Sequence, residues 1–332
     1  MRVVITGISG AIGTYLASYL TAKGHWVIGV SRRPEQQRSP GYNPLLPCIG
    51  WSEMTATFMA DNRIDAVINL AGAPVIQRWS QHHKATIVAS RLAAIRHIFE
   101  QLRQMQPSRR PRCVVTASSI AVYSHRDCPV DEAIRPEPDP QFFQSLLWHR
   151  VESLVAEQQL SGVRTPVARF GVVIGPDNRM QMMLKLARCH LYATPGNGSQ
   201  MVSWISAHDT ARALELLAER ADIGGTLNLT APEAVSAKQL GDSISSAAAG
   251  SAHLHIPAPL LRILLGELAT TFLTSAAVLP GRLQTIGFDW THRDLGQSVR
   301  TAAQELNLQD SPQKPADRTP EVFPDKRSNR AC

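Results

Sequence analysis

Val3-Val4-Ile5-Thr6 is a short apolar, β-branched run that gives way at Gly7 to a turn of small residues, and from residue 11 to 23 apolar side chains recur at helical spacing. A second strand-like run covers residues 26–30. Residues 35–47, rich in Pro, Gly, Gln and Ser, are expected as a loop, followed by a short strand around residues 48–51. Residues 65–72 are expected as a buried strand that runs out through Asn69 into a small-residue turn. Helical spacing then holds from 80 to 105 through Ile87, Leu92, Ile95, Ile98, Phe99 and Leu102. A strand over 113–119 ends in the hydroxyls of Ser118 and Ser119. A helix over 141–159 and a strand over 165–173 complete the alternation, and Gly175-Pro176 closes it. Strand and helix patterns in turn predict an α/β fold, a doubly wound parallel sheet with helices on both faces.

Beyond Gly175 the pattern loosens, as expected for a smaller, mostly helical C-terminal lobe interleaved with the first domain. The helix after His208-Asp209 and a strand over 226–229 are expected to return to the sheet. Residues 233–308 are mostly helical in pattern, with a break at Pro257-Ala258-Pro259 and a Leu-rich helix over 260–273. Arg262 and Glu267 interrupt that helix, and it is too short to span a bilayer. The division is therefore residues 1–175 with 205–232 as one domain, and 176–204 with 233–308 as a lobe over its site. From residue 309 the Pro-, Asp-, Lys- and Arg-rich tail has little to bury and is expected to be disordered.

The 332 residues suffice for such a domain and lobe. No charged-then-apolar leader precedes the first strand, so a soluble cytoplasmic protein is expected. Five scattered cysteines form no CxxC or metal-ligand spacing and suit a reducing compartment. The net charge of +7 comes without aromatic-interleaved basic patches, so it is read as an arginine-rich surface and not as a nucleic-acid interface. The expected partner is a small-molecule substrate, with a homodimer as the one assembly admitted.

The glycine-rich turn carries the first chemistry. Gly7 permits a sharp turn at the strand end, Gly10 lets backbone approach a diphosphate, and Gly13 lets the helix pack closely. The helix N-terminus through Ser9, Ala11 and Ile12 then offers N–H groups and positive potential to phosphates. This is the Rossmann-type arrangement. After the second strand comes Ser31-Arg32-Arg33, where an NAD enzyme usually carries an acid for the ribose hydroxyls. Two guanidinium groups suit a 2′-phosphate, so NADP(H) is favoured over NAD; a charged surface turn is the alternative. Small residues at Asn69-Leu70-Ala71-Gly72 would let the cofactor's ribose lie against backbone.

Three motifs in order, Thr6-Gly7-x-x-Gly10-x-x-Gly13, Ser118-Ser119-x-x-Val122-Tyr123 and Arg169-x-Gly171-Val172-x-x-Gly175-Pro176, resemble the extended short-chain dehydrogenase/reductase superfamily. Closer still is the resemblance to its atypical branch of "epimerase family" proteins, the YfcH-like group also labelled SulA-like cell-division inhibitors. Asn69-Leu70-Ala71-Gly72-Ala73-Pro74, Arg78-Trp79-Ser80 with Lys84 and Ser90-Arg91, Gln200-x-x-Ser203-Trp204-Ile205 and Asn228-Leu229-Thr230-Ala231-Pro232 carry it over about residues 1–308. The resemblance implies NADP(H) binding and a cleft between the strands' carboxyl ends and the C-terminal lobe.

The superfamily's chemistry uses a Tyr as proton donor or acceptor, a Lys four residues on, and a Ser that shares the reacting oxygen's hydrogen bond. Ser119 matches the superfamily's serine and Ser118 the serine usual in the closer branch. Anchored on Glu152 and Arg169, the Tyr position falls on Gln144 and the Lys position on Trp148, so the pair is missing, and the closer branch generally lacks it too. Tyr19 and Lys23 have the right spacing but lie on the first helix, away from the reacting end. Tyr123 could face the pocket as a proton donor, or line it passively, and His149 could titrate or face solvent. Arg91 is assigned to the cofactor and Trp79, Lys84, Gln200 and Trp204 to the pocket walls, with ion pairing and packing as the alternatives. The reading is an NADP(H)-binding oxidoreductase or epimerase-like enzyme acting on a small organic metabolite. A non-catalytic regulator that senses NADP(H) is the alternative.

Overall fold

The computed structural model describes residues 1–35, 46–126, 128–250 and 254–310; the expected tail from residue 311 on and most of the predicted loop over 35–47 lie outside them, while residues 309 and 310 end the last helix. In chain order the first half comprises β1 (Arg2–Thr6), α1 (Ala11–Ala22), β2 (Trp26–Val30), β3 (Cys48–Ile49), α2 (Ala56–Asp61) and β4 (Ala66–Asn69). It continues with α3 (Gln81–Gln104), β5 (Cys113–Ser119), a 3₁₀ turn (Ile120–Tyr123), α4 (Phe143–Glu157) and β6 (Val167–Phe170). The second half comprises β7 (Val172–Ile174), α5 (Asn178–Arg188), β8 (Ala193–Pro195), β9 (Met201–Val202), β10 (Trp204–Ser206), α6 (Ala207–Glu219) and β11 (Thr226–Leu229). Then follow β12 (Val235–Ser236), α7 (Ala237–Ala247), β13 (Leu254–Ile256), α8 (Ala258–Leu265), α9 (Ala269–Leu273), α10 (Gly281–Thr285) and α11 (Leu295–Asp310).

Seven strands form one parallel sheet in the order β11-β6-β5-β4-β1-β2-β3. This Rossmann-like order reverses between β1 and β4, which opens a crevice at the carboxyl ends of those strands. Side chains alternate across the sheet. Val3 and Ile5 pack with Leu16, Leu20, Leu214 and Leu217 on the α1–α6 face. Val4 and Val67 pack with Ile95, Phe99, Leu147 and Val151 on the α2–α3–α4 face. A third cluster, including Ile174, Leu184, Trp204, Ile244 and Val299, joins α5, α7 and α11.

Two predicted elements are divided. The strand expected over 165–173 breaks at Gly171, where a Cβ would stand 2.7 Å from Ser203 O. Backbone crosses too closely there for a side chain, so β7 leaves the main sheet and pairs in parallel with β10. The Leu-rich helix expected over 260–273 is cut at Gly266, whose φ of +59° ends α8; a 3₁₀ turn then leads to α9. The chain after α9 pairs with the loop before α4, through Arg126 N to Ser275 O (2.8 Å) and Val130 N to Ala277 O (2.9 Å). That pairing brings the smaller, mostly helical C-terminal lobe (α8–α11) to the crevice.

Candidate active site

The glycine loop is built on close backbone approach. Gly7 has φ +71°, and a Cβ on it would stand 2.6 Å from Leu70 O. On Gly13 a Cβ would stand 2.4 Å from Gly7 O, so α1 can pack on the loop only with glycine there. Gly10 N donates to Gly7 O at 3.0 Å. Whereas α3, α5, α6 and α7 carry side-chain caps from Ser80, Asp177, Ser206 and Ser236, α1 begins at Gly10 with none. Ser9, Gly10 and Ala11 are exposed, with Ile12 half-buried beside them. The first turn of α1 thus presents uncapped N–H groups at the switch point of the sheet, which fits a diphosphate.

At the end of β2, Ser31 is buried and its Oγ accepts from Arg33 N at 3.2 Å. Arg32 and Arg33 are exposed, and no ion pair holds either among the described residues. At the end of β4, Asn69 is buried and accepts from Thr6 Oγ1 at 2.7 Å and from Ala71 N at 3.3 Å. It ties the two strand ends together and shapes the turn through Leu70, Ala71 and Gly72. Arg91 reaches that turn from α3, with Nη1 donating to Ala73 O at 2.9 Å and Ile87 O at 3.0 Å.

The two serines at the end of β5 differ. Ser118 is buried and donates to Glu152 Oε1 at 2.6 Å. Arg169 clamps the same carboxylate through Nε at 2.8 Å and Nη2 at 2.6 Å. Arg169 Nη1 also donates to Tyr123 OH at 2.7 Å, and that hydroxyl lies 3.2 Å from Asn228 Oδ1 and 3.1 Å from Asp131 O. Ser118 therefore belongs to a buried polar network joining β5, α4, β6 and β11. Ser119 is half-buried, accepts from Ala121 N at 3.2 Å and lies 3.5 Å from Phe170 O, the weakest of these contacts.

The structure corrects the expectation that Tyr123 could face the pocket. Its side chain is 0 % exposed, its hydroxyl is held among Arg169, Asn228 and Asp131, and burial outweighs the Arg169 charge to raise its pKa. Trp204 is likewise not a pocket wall: at 1 % exposure it is a core residue of the third cluster. Gln200 is buried, and its amide donates to Pro195 O and Phe272 O, each at 2.9 Å. Lys84 pairs with Glu267, its ammonium 5.2 Å from the Phe143 ring and 6.0 Å from that of Trp79. Trp79 donates to Val75 O at 2.9 Å and meets Phe143 edge-on.

Gln144, at the Tyr position, is buried and donates to Thr271 Oγ1 at 2.7 Å. Trp148, at the Lys position, is buried with its ring centroid 5.0 Å from Arg91 Cζ. His149 does not simply face solvent; its ring nitrogens lie 2.8 Å from Ser145 O and 3.0 Å from Pro136 O.

Sequence reasoning found the lining of two cavities only in part: Ser9, Ala11 and Ile12 in one and Gln200 in the other. One, of about 690 Å³, runs from Ser9 and Ile12 past Tyr15 and Pro176 to Glu305. The other, of about 750 Å³, lies between His125, Asn197, Gln200, His255, Arg262 and Ser275. The remaining residues come from segments far apart in the chain, where no spacing marks them. His25, Glu215 and Glu219 approach within metal-ligand reach, but Lys23, His25 and Tyr19 already hold the Glu215 carboxylate.

The sheet, the uncapped glycine turn and the serine-bearing strand end define a dinucleotide-dependent enzyme with a small-molecule cleft. The pattern of the NAD dependent epimerase/dehydratase family matches residues 3–230, and a domain of unknown function matches residues 256–302. The chain belongs to the NAD dependent epimerase/dehydratase family. It is 31 % identical over 299 residues to Epimerase family protein YfhF of Bacillus subtilis (strain 168), covering 89 % of this chain and 95 % of that one. Human epimerase family protein SDR39U1 (isoform 2), solved with NADPH, superposes with a TM-score of 0.80 at 28 % identity, over 92 % of this chain and all of the other. UDP-glucuronic acid 4-epimerase from Bacillus cereus, solved with UDP-glucuronic acid and NAD, shares the fold at TM-score 0.73 and 16 % identity, over 93 % and 99 % of the two chains.

Proposed function

We propose that this chain is an NADP(H)-dependent oxidoreductase or epimerase acting on a small metabolite of the nucleotide-sugar kind. The observation that carries the cofactor choice is the exposed Arg32-Arg33 pair at the end of β2, without acidic partners among the described residues. The NADPH in the human relative supports it. Gly7, Gly10 and Gly13 with the first turn of α1 would hold the diphosphate, Arg32 and Arg33 the 2′-phosphate, and the Asn69–Gly72 turn the ribose. A bound nicotinamide supplies hydride transfer. Ser119 would then hydrogen-bond the reacting oxygen, while Ser118 keeps the strand end rigid through Glu152. In this reading residues 1–175 with 205–232 carry the cofactor, and 176–204 with 233–308 cover the substrate. This reading places the enzyme in the cytoplasm.

Arg32→Ala with Arg33→Ala is expected to weaken NADPH by about tenfold or more and NADH little, since even one charge-assisted contact contributes about 1.5–3 kcal/mol. Fluorescence titration of both cofactors measures this, and equal losses would refute the 2′-phosphate assignment. A second reading, an NADP(H)-sensing regulator, draws on Gln144 and Trp148, neither of which titrates near neutral pH. Single-turnover loss of 340 nm absorbance against a metabolite panel supports the enzyme. Binding without turnover, together with a partner recovered on pull-down, supports the regulator.

A further inference from the structure

Arg91 is half-buried, and its guanidinium is wedged between two surfaces. A Cβ on Gly72 would stand 2.6 Å from Arg91 Cζ, so the group is pressed against the turn that follows β4. On another side lies the Trp148 ring, 5.0 Å away. Nη1 is spent on Ala73 O and Ile87 O, while Nε and Nη2 make no hydrogen bond among the described residues. No carboxylate pairs with it there either. A second guanidinium near the cleft, the buried one of Arg169, is clamped by Glu152.

This is a costly arrangement for an isolated protein. Burial pushes the Arg91 pKa down to about 10, so the group stays charged at neutral pH without a counter-charge. The indole face steadies a planar cation and leaves the guanidinium edge open, the geometry that takes two oxygens of a phosphate or carboxylate. Its position is equally specific. The neighbouring Leu70 abuts Gly7 of the glycine loop, and Trp148 lies one helical turn before Glu152, which holds Ser118. The guanidinium therefore stands between the phosphate end and the reacting end of the crevice.

We propose that Arg91, shelved on Trp148, is the oxyanion-receiving group of the cleft, binding a pair of phosphate or carboxylate oxygens from the bound ligands. The oxygens come either from the cofactor's diphosphate or from an acidic group on the substrate. The assignment deepens the function proposed above and rests on a ligand lying along the strand ends.

The test uses the full chain and Arg91→Gln, with three probes: adenosine 2′-monophosphate, which carries neither phosphate of the diphosphate bridge, then NADPH, then inorganic phosphate with and without saturating NADPH. Affinity for the monophosphate is expected to stay within twofold. A loss of about tenfold or more in NADPH affinity, as for one charge-assisted contact, identifies the cofactor diphosphate as the source. Unchanged NADPH with a similar loss in phosphate affinity identifies the substrate side. NADPH and phosphate binding both within twofold of the parent overturn the proposal. So does an equal loss for the monophosphate and NADPH, which would mean that Arg91 acts through the fold. Arg91→Lys keeps the charge without the fork and is expected to fall between; it takes over the comparison, under the same criteria, if the glutamine variant does not fold. A parent protein that binds neither nucleotide sinks the cofactor reading instead, and phosphate binding without NADPH then tests Arg91 alone.

Discussion

Ser118 and Ser119 are adjacent, yet replacing each by alanine is expected to damage different properties. Ser118→Ala removes a 2.6 Å hydrogen bond to the Glu152 carboxylate in a buried network. Bonds to charged partners contribute about 1.5–3 kcal/mol, and Glu152 Oε1 keeps its second donor, Arg169 Nε, so the lower half of that range applies. A loss of about 1.5–2 kcal/mol leaves a protein of ordinary stability folded. Ser119→Ala removes only the 3.2 Å contact with Ala121 N and a 3.5 Å approach to Phe170 O at a half-buried site, about 0.5–1 kcal/mol. Urea unfolding of the two variants at equal slope is therefore expected to separate their midpoints, with Ser118→Ala the weaker. Turnover on any accepted substrate should fall for Ser119→Ala while NADPH affinity holds. Equal midpoints would refute the reasoning, as would a Ser118 variant of parental stability that had lost turnover, because Ser118 would then face the substrate.

Gly13→Ala is expected to destabilise the protein by about 1–3 kcal/mol and to weaken NADPH and NADH together, because the new methyl meets backbone at Gly7 O and moves the loop; urea unfolding and cofactor titration check both. Glu215 gives a pH dependence. Burial alone would raise its pKa, but hydrogen bonds from Lys23, His25 and Tyr19 outweigh it and hold the carboxyl below its ordinary value of 4.5. A depressed folded pKa stabilises fully above the unfolded value and is lost as pH falls through the folded one. Unfolding free energy should therefore decline below pH 4.5, and Glu215→Gln should flatten that limb; an unaltered acid limb in the variant would count against the assignment.

Those parts of the fold that depend on neighbours in sequence were legible. β2 and β5 fall on residues 26–30 and 113–119 as their apolar runs predict, and Ser80 caps α3 where helical spacing begins. What stayed hidden depends on chain that arrives from elsewhere. The apolar run through residue 173 gives no sign that Ser203 O will press on Gly171 and divert β7. Trp204 and Gln200 share a motif, but one enters the core while the other spends its amide on two carbonyls. Nor can adjacency on a strand tell which of two hydroxyls meets a carboxylate. It takes α4 carrying Glu152 and β6 carrying Arg169 to commit Ser118 to the network.

That commitment bears on the chemistry. Glu152 is neutralised by Arg169, Lys84 is paired with Glu267, and Tyr123 is enclosed. What remains is a hydroxyl at Ser119, a neutral amide at Gln144 and the Arg91 cation, which no carboxylate pairs among the described residues. Such groups stabilise negative charge as it develops on an oxygen without transferring a proton to it. A reaction whose proton comes from water or from the substrate itself, such as a double-bond reduction or an isomerisation, asks less of this site than reduction of a simple ketone. With Gln144 and Trp148 at the positions expected for the superfamily's Tyr–Lys pair, the proposed enzyme is expected to serve a different reaction class and to keep catalysis.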